Sequence, residues 1–226
     1  MKYFLIIIFF IATAVGYAQL PNKFQIRLGL GYSNILMHDV TPGIQSGDND
    51  IEQAFINFPI GFRFEVVKRL NVGLDFLFGV NDNFRDKLKL QSRLMTAGLC
   101  AEYSIIDLPD FRWYAGVSGG GTKIKYSQNL YYGMTGVSAI NSSWSGTGFR
   151  FATGIQFFNL GPSLGVQFNA TYDMHHVSLK DASGSGSVIV VSRSDSQLNL
   201  SGIGVNLGIV WLIQFSEAID TNSPKK

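Results

Sequence analysis

The most chemically suggestive spacing in the sequence is His176-Val177-Ser178. Alternate residues of a strand share a face, so a histidine two positions from a serine sets a general base beside a potential nucleophile. A hydrolytic pair of that kind also needs an acid to orient the imidazole. The next glutamate is Glu217, in the C-terminal tail, and Asp181 stands too close along the chain to serve readily. The expectation is therefore no catalytic site, with His176 and Ser178 kept as the alternative. Metal chemistry is poorer still, because His175 and His176 are adjacent and His38, the only other histidine, is remote. The acidic run GDNDIE at 47–52 lacks the spacing of a calcium loop. SGGGT at 118–122 lacks the Gly-Lys-Ser/Thr ending of a phosphate loop and a following helix. Cys100, the single cysteine, excludes an intramolecular disulfide and reads as a small residue inside a strand. No metal and no cofactor is expected.

The elements that would position such residues show strongly in the segment FPIGFRFEVVKRLNVGLDFLFG, residues 58–79. Phe58, Ile60, Phe62, Phe64 and Val66 alternate with Pro59, Gly61, Arg63 and Glu65, and the pattern resumes after a turn with Val72, Leu74, Phe76 and Phe78. Leu77 is the one large apolar residue on the small, polar face. This period of two predicts a hairpin with one greasy and one polar face. Six more segments alternate similarly, starting at Phe24, Leu94, Phe111, Phe149, Leu164 and Gly202, which makes eight strands. In the Phe111 segment the phase changes across Gly119 to Gly121, which predicts a β-bulge.

The connections alternate too. Tight turns are expected at 67–69, 107–110 and 159–162, and long polar loops from Asn34, Asn81, Ser127 and His175. Strands of about ten residues, tilted by about 40°, cover the roughly 25 Å of an outer-membrane apolar band. Tyr32, Phe64, Phe78, Phe111, Trp113, Tyr126, Phe157, Tyr172, Trp211 and Phe215 sit toward strand ends, where aromatic girdles form. The fold class that follows is all-β: an eight-stranded antiparallel up-and-down transmembrane β-barrel. Its greasy face meets lipid, its long loops are extracellular, and its short turns and both termini are periplasmic.

An exported chain fits this reading. Lys2, an apolar run from Phe4 to Val15 and Gly16-Tyr17-Ala18 have the form of a signal peptide cleaved near Ala18/Gln19. The expected organisation is a signal peptide at 1–18, a barrel at 19–215 and a polar tail at 216–226. Loss of Lys2 leaves 17 basic against 16 acidic residues, a charge of +1 that gives no reason to expect a nucleic-acid partner.

A barrel this narrow is filled by side chains. Parity sends Arg27, Arg63, Arg112 and Arg150 inward together with Glu65, Asp75, Glu102 and Asp173. Four charges of each sign predict an internal ion-pair network, because a buried charge without a partner is costly.

With FPIGFRFEVVKRLNVGLDFLFG, FRWYAGVSGGG and the leader ending before Gln19, the chain resembles the small outer-membrane β-barrels of Bacteroidetes-type bacteria, the PorT-like group and its OmpA-like barrel relatives. Asn206, Gly208, Trp211 and Ile213 match the polar, glycine and hydrophobic positions of the assembly signal of outer-membrane proteins, although the tail here continues beyond Phe215. The resemblance implies location in the outer membrane and partners in its lipid and the barrel-assembly machinery. It also implies protein partners at the extracellular loops or periplasmic turns, as in a secretion complex. The expected role is non-enzymatic: structural, binding or as a complex subunit. The alternatives are a narrow small-solute channel and a lipid-modifying barrel enzyme, since His176-Val177-Ser178 also resembles the His-x-Ser pair of lipid A deacylases.

Overall fold

A computed structural model describes residues 23–38, 50–85, 88–132, 136–158, 160–161, 163–185 and 197–214. The leader with its cleavage point, Phe215 and the polar tail, and residues 39–49 and 186–196 of the first and last long connections fall outside the described residues. Eight strands run in chain order: β1 (Lys23–His38), β2 (Asp50–Val67), β3 (Leu70–Arg85), β4 (Leu88–Asp107), β5 (Phe111–Tyr132), β6 (Gly136–Phe157), β7 (Leu164–Ser185) and β8 (Gln197–Gln214). Each pairs antiparallel with its sequence neighbour, and β8 returns to β1, from Lys23 opposite Gln214 to His38 opposite Asn199. Closure pairs every strand on both edges, the condition for a sheet to cross hydrocarbon.

The hairpin at 58–79 shows how sequence becomes register. Phe58 faces Phe78, Ile60 faces Phe76 and Phe62 faces Leu74 across β2 and β3, so the apolar residues of both strands share one wall. That wall is the outside. Ile56, Phe58, Leu74 and Phe78 are exposed, as are Leu28, Leu30, Leu99, Phe151, Phe168, Leu207 and Ile209 around the circumference. Exposed aliphatic and aromatic side chains on every strand form a continuous apolar belt, with Tyr103, Trp113 and Trp211 toward the short-turn end and Tyr32 and Tyr172 toward the other. A charge on this belt should be costly. Leu207→Arg, near the middle of the outward set of β8, is expected to lower unfolding stability in lipid by about 2–4 kcal/mol. Urea titration of the refolded barrel in phosphatidylcholine vesicles checks it; an unchanged midpoint would place Leu207 in water.

The tight turn between β2 and β3 consists of Lys68 and Arg69. Arg69 has a φ of 72°, and its amide donates to Glu65 Oε1 at 3.1 Å. The connections at 108–110 and 158–163 close the same end of the barrel, joined by the Phe158 amide donating to the Asp110 carbonyl at 3.0 Å.

Two expectations are corrected. The strands are 16 to 22 residues long, because much of what reads as polar loop is paired sheet: β3 continues to Arg85, β5 to Tyr132, β6 begins at Gly136 and β7 reaches Ser185. At about 3.3 Å per residue and a tilt near 40°, 22 residues rise roughly 55 Å, about twice the apolar belt. The barrel therefore extends well past the bilayer at its long-connection end.

The second correction concerns Gly119 to Gly121, which contain no bulge. They pair in unbroken register with Leu99, Gly98 and Ala97 on β4 and with Phe149, Gly148 and Thr147 on β6. Register shifts occur instead at Glu65/Val67, Ser104/Ile106 and Ser143/Trp144. The change of pattern at the glycines reflects surroundings. Below them the outward residues are Trp113 and Val117; above them the outward residues are Lys123 and Lys125 and the buried inward residue is Ile124. Past the bilayer the outside meets water, so the polar and apolar faces exchange places while the pleat continues.

Candidate functional site: the filled lumen and its rim

From the short-turn end upward the lumen is filled in layers. Phe158, Val210 and Leu212 form a small apolar cluster, over which the Arg112 guanidinium lies 5.7 Å from the Phe158 ring centre. Above it stand the buried amides of Gln25, Gln156 and Gln167.

The next layer is ionic. Arg27 from β1 donates through Nη1 to Glu102 Oε1 of β4 at 2.8 Å, and Arg63 from β2 donates through Nη2 to the same oxygen at 2.9 Å. Arg63 Nη2 also donates to Asp75 Oδ1 of β3 at 2.7 Å. Arg27 is held from below by Gln25 Oε1, at 2.9 and 3.2 Å, and lies over the Tyr114 ring at 4.7 Å. The side chains of Arg27, Arg63 and Glu102 are each 5% exposed, so their charges are compensated by one another and by amides, with little help from bulk water.

Four of the eight charged positions expected inside thus form one cluster. The other four are separate. Arg150 and Asp173 pair at 2.6 Å higher in the lumen, with Thr171 donating to Asp173 at 3.3 Å. Arg112 and Glu65 take partners absent from the sequence reading: Asp107 at 2.8 Å, the last residue of β4, and Lys23 at 3.7 Å, at the barrel mouth. Both partners stand at strand ends, where parity gives no guidance. Above Asp173, His175 Nδ1 lies 3.1 Å from Thr122 Oγ1, which is 3.2 Å from Thr96 Oγ1.

An apolar septum then crosses the barrel. Ile35 of β1, Phe55 of β2, Leu77 of β3, Leu94 of β4, Ile124 of β5, Trp144 of β6, Val177 of β7, and Leu198 and Leu200 of β8 are all buried in one cluster. Every strand contributes to it. Leu77, the odd residue of its hairpin, belongs here.

His176 and Ser178 lie on the outer wall, above Met174, while the intervening Val177 is fully buried in the septum. His176 Nδ1 makes a 2.5 Å hydrogen bond with Asn199 Oδ1 of β8. Ser178 occupies the next outward position, paired in register with Ser145 and Gln197, and among the described residues no hydrogen bond joins it to His176. His38 ends β1 in register with Asn199, so β8 lies between it and His176. Cys100 is buried toward the lumen.

Asn206, Gly208, Trp211 and Ile213 all lie on β8. Asn206 is buried inward against Gly31, where an added Cβ would meet its amide oxygen, and Trp211 is exposed on the belt.

No protein-family model matches the sequence, and comparison with curated proteins finds no match. Solved structures do resemble it. The outer membrane protein OprG from Pseudomonas aeruginosa aligns over 88% of this chain and 99% of its own, with a TM-score of 0.52 and 12% identity. Ail, the attachment invasion locus protein of Yersinia pestis, aligns over 84% and 99% respectively, with a TM-score of 0.45 and 14% identity. The likeness to OprG concerns the fold, that of a small outer-membrane β-barrel.

Proposed function

We propose that the protein is a non-enzymatic, non-conducting barrel of the outer membrane whose sealed lumen is a rigid support for the sheet extension beyond the bilayer. The observation that carries this reading is the septum, nine buried apolar side chains drawn from all eight strands above an ionic layer whose charges are already paired. An ion crossing it would shed its hydration shell among groups that offer no replacement. The work of the molecule then falls to the extension and its connections, as a binding surface or a subunit of a larger envelope assembly. The resemblance to PorT-like barrels supports a protein partner there. Against hydrolysis stands the bonding of His176, whose Nδ1 is engaged by a neutral amide while Ser178 is left without it.

Reconstitution of the purified barrel into planar bilayers tests the sealed lumen. The expected record is flat at applied potentials up to about 100 mV, where the field supplies about 2.3 kcal/mol per unit charge. Reproducible unitary steps would replace the scaffold reading with the small-solute channel.

A further inference from the structure

Just above the apolar belt, the outer wall of β4 to β7 carries a concavity of about 290 Å³ lined by Gln91, Arg93, Lys125, Asn141, Ser143 and Asp181, among others. Arg93 and Lys125 are directly paired in register, and Lys123 follows one row lower, opposite Met95. Like charges directly opposite one another on adjacent strands are destabilising. Of the other described cations, Lys23, Arg27, Arg63, Lys89, Arg112 and Arg150 have carboxylate partners, while the exposed Lys68 and Arg69, in the β2–β3 turn, and Lys180, on β7, do not. Among the described residues, Arg93, Lys123 and Lys125 have none. Three uncompensated cations in two adjoining rows fit an external anion.

Their height identifies its chemistry. Met95, 50% exposed, is the last apolar outward residue of β4, and the rows below Lys123 are Ala97 with Gly121, then Leu99 with Gly119 and Phe149. The cations thus stand where headgroups meet acyl chains. Arg93 can grip phosphate oxygens with two parallel N–H groups and Lys125 adds a point charge. Ser143 supplies a neutral hydrogen-bonding group beside them, while the Gln91 amide already donates to Asp82 at 3.0 Å. Asp181, two strands from Lys125 with Ser143 between, repels a second anion and confines binding to the β4–β5 side.

We propose that Arg93, Lys123 and Lys125 form a site for the phosphate headgroup of an anionic lipid whose acyl chains lie along the β4–β6 wall; this rests on the membrane-spanning reading above. The test uses the full barrel in phosphatidylcholine nanodiscs doped with phosphatidylglycerol, with retained lipid read by native mass spectrometry. Arg93→Gln with Lys125→Gln should weaken phosphatidylglycerol retention by about twenty-fivefold, at roughly fivefold per cation near a membrane surface. Lys68→Gln with Arg69→Gln, the same charge change at the short-turn end, should leave it unaltered, and Asp181→Asn should increase it. Equal loss in both double variants would overturn the site, as would full displacement of the lipid by millimolar inorganic phosphate, which would make it a free-anion site. A protein that stays soluble without detergent or lipid would overturn the membrane-spanning reading together with the site. An inserted barrel with unchanged retention would overturn the site alone.

Discussion

Glu102→Gln is expected to lower unfolding stability by about 3–5 kcal/mol, the range for a buried ion pair that loses one partner. Glu102 is the carboxylate between Arg27 and Arg63, and the two guanidiniums do not suffer equally when it is neutralised. Arg63 retains Asp75 at 2.7 Å. Arg27 retains Gln25 and the face of Tyr114, neither of which carries a compensating negative charge. The uncompensated charge is therefore chiefly Arg27, and adding Arg27→Met to Glu102→Gln should restore part of the loss. Urea unfolding in neutral micelles, followed by tryptophan fluorescence, measures both. Glu65→Gln is the natural control: its partner Lys23 is 32% exposed and 3.7 Å away, so solvent screening leaves a loss of at most about 1 kcal/mol. Equal losses at positions 65 and 102 would mean that water reaches the ionic layer and that the lumen is more open than its packing implies.

Both the legible and the illegible parts of this architecture come from the same period of two. Alternation in Phe58 to Phe64 and Val72 to Phe78 fixes which residues share a wall, and the turn at Lys68 and Arg69 fixes how the two strands meet. The same parity sends Arg27, Arg63 and Glu102 to one interior. It cannot say what each wall touches, because that changes along the strand axis while the pleat does not. Ile124 and Trp144 lie in stretches that read as a phase change and a polar loop, yet both point inward and are buried. Their outward neighbours Lys123, Lys125, Ser143 and Ser145 were the signal: lysine and serine outside with large apolar residues inside is the pattern of sheet in water. Asp107 was hidden for another reason. In the sequence it reads as the start of a turn, and its bond to Arg112 spans the connection from β4 to β5.

This exchange of faces makes a separate demand on the sheet above the bilayer. Below Gly121 the belt is stabilised by lipid outside and ion pairs inside; above it the hydrophobic stabilisation must come from the septum. Trp144, 4% exposed with its indole N–H donating to Ser142 Oγ at 2.9 Å, is the largest side chain there. Trp144→Ala is expected to cost about 3–5 kcal/mol, as large core aromatics do when truncated. Ser145→Ala, pointing to solvent on the same strand, should stay within about 0.5 kcal/mol. The loss should also be local. With the septum weakened, the extension can open while the lipid-embedded rows stay paired, so unfolding should separate into two transitions. Limited trypsin digestion should then cut at Arg93, Lys123 or Lys125, residues protected in the parent by continuous pairing between β4 and β5. The bilayer record should nevertheless stay flat while the protein is folded, since seven other strands still contribute to the seal. A single cooperative transition at reduced stability would instead show that septum and ionic layer fold as one unit, with the extension no more independent than the belt.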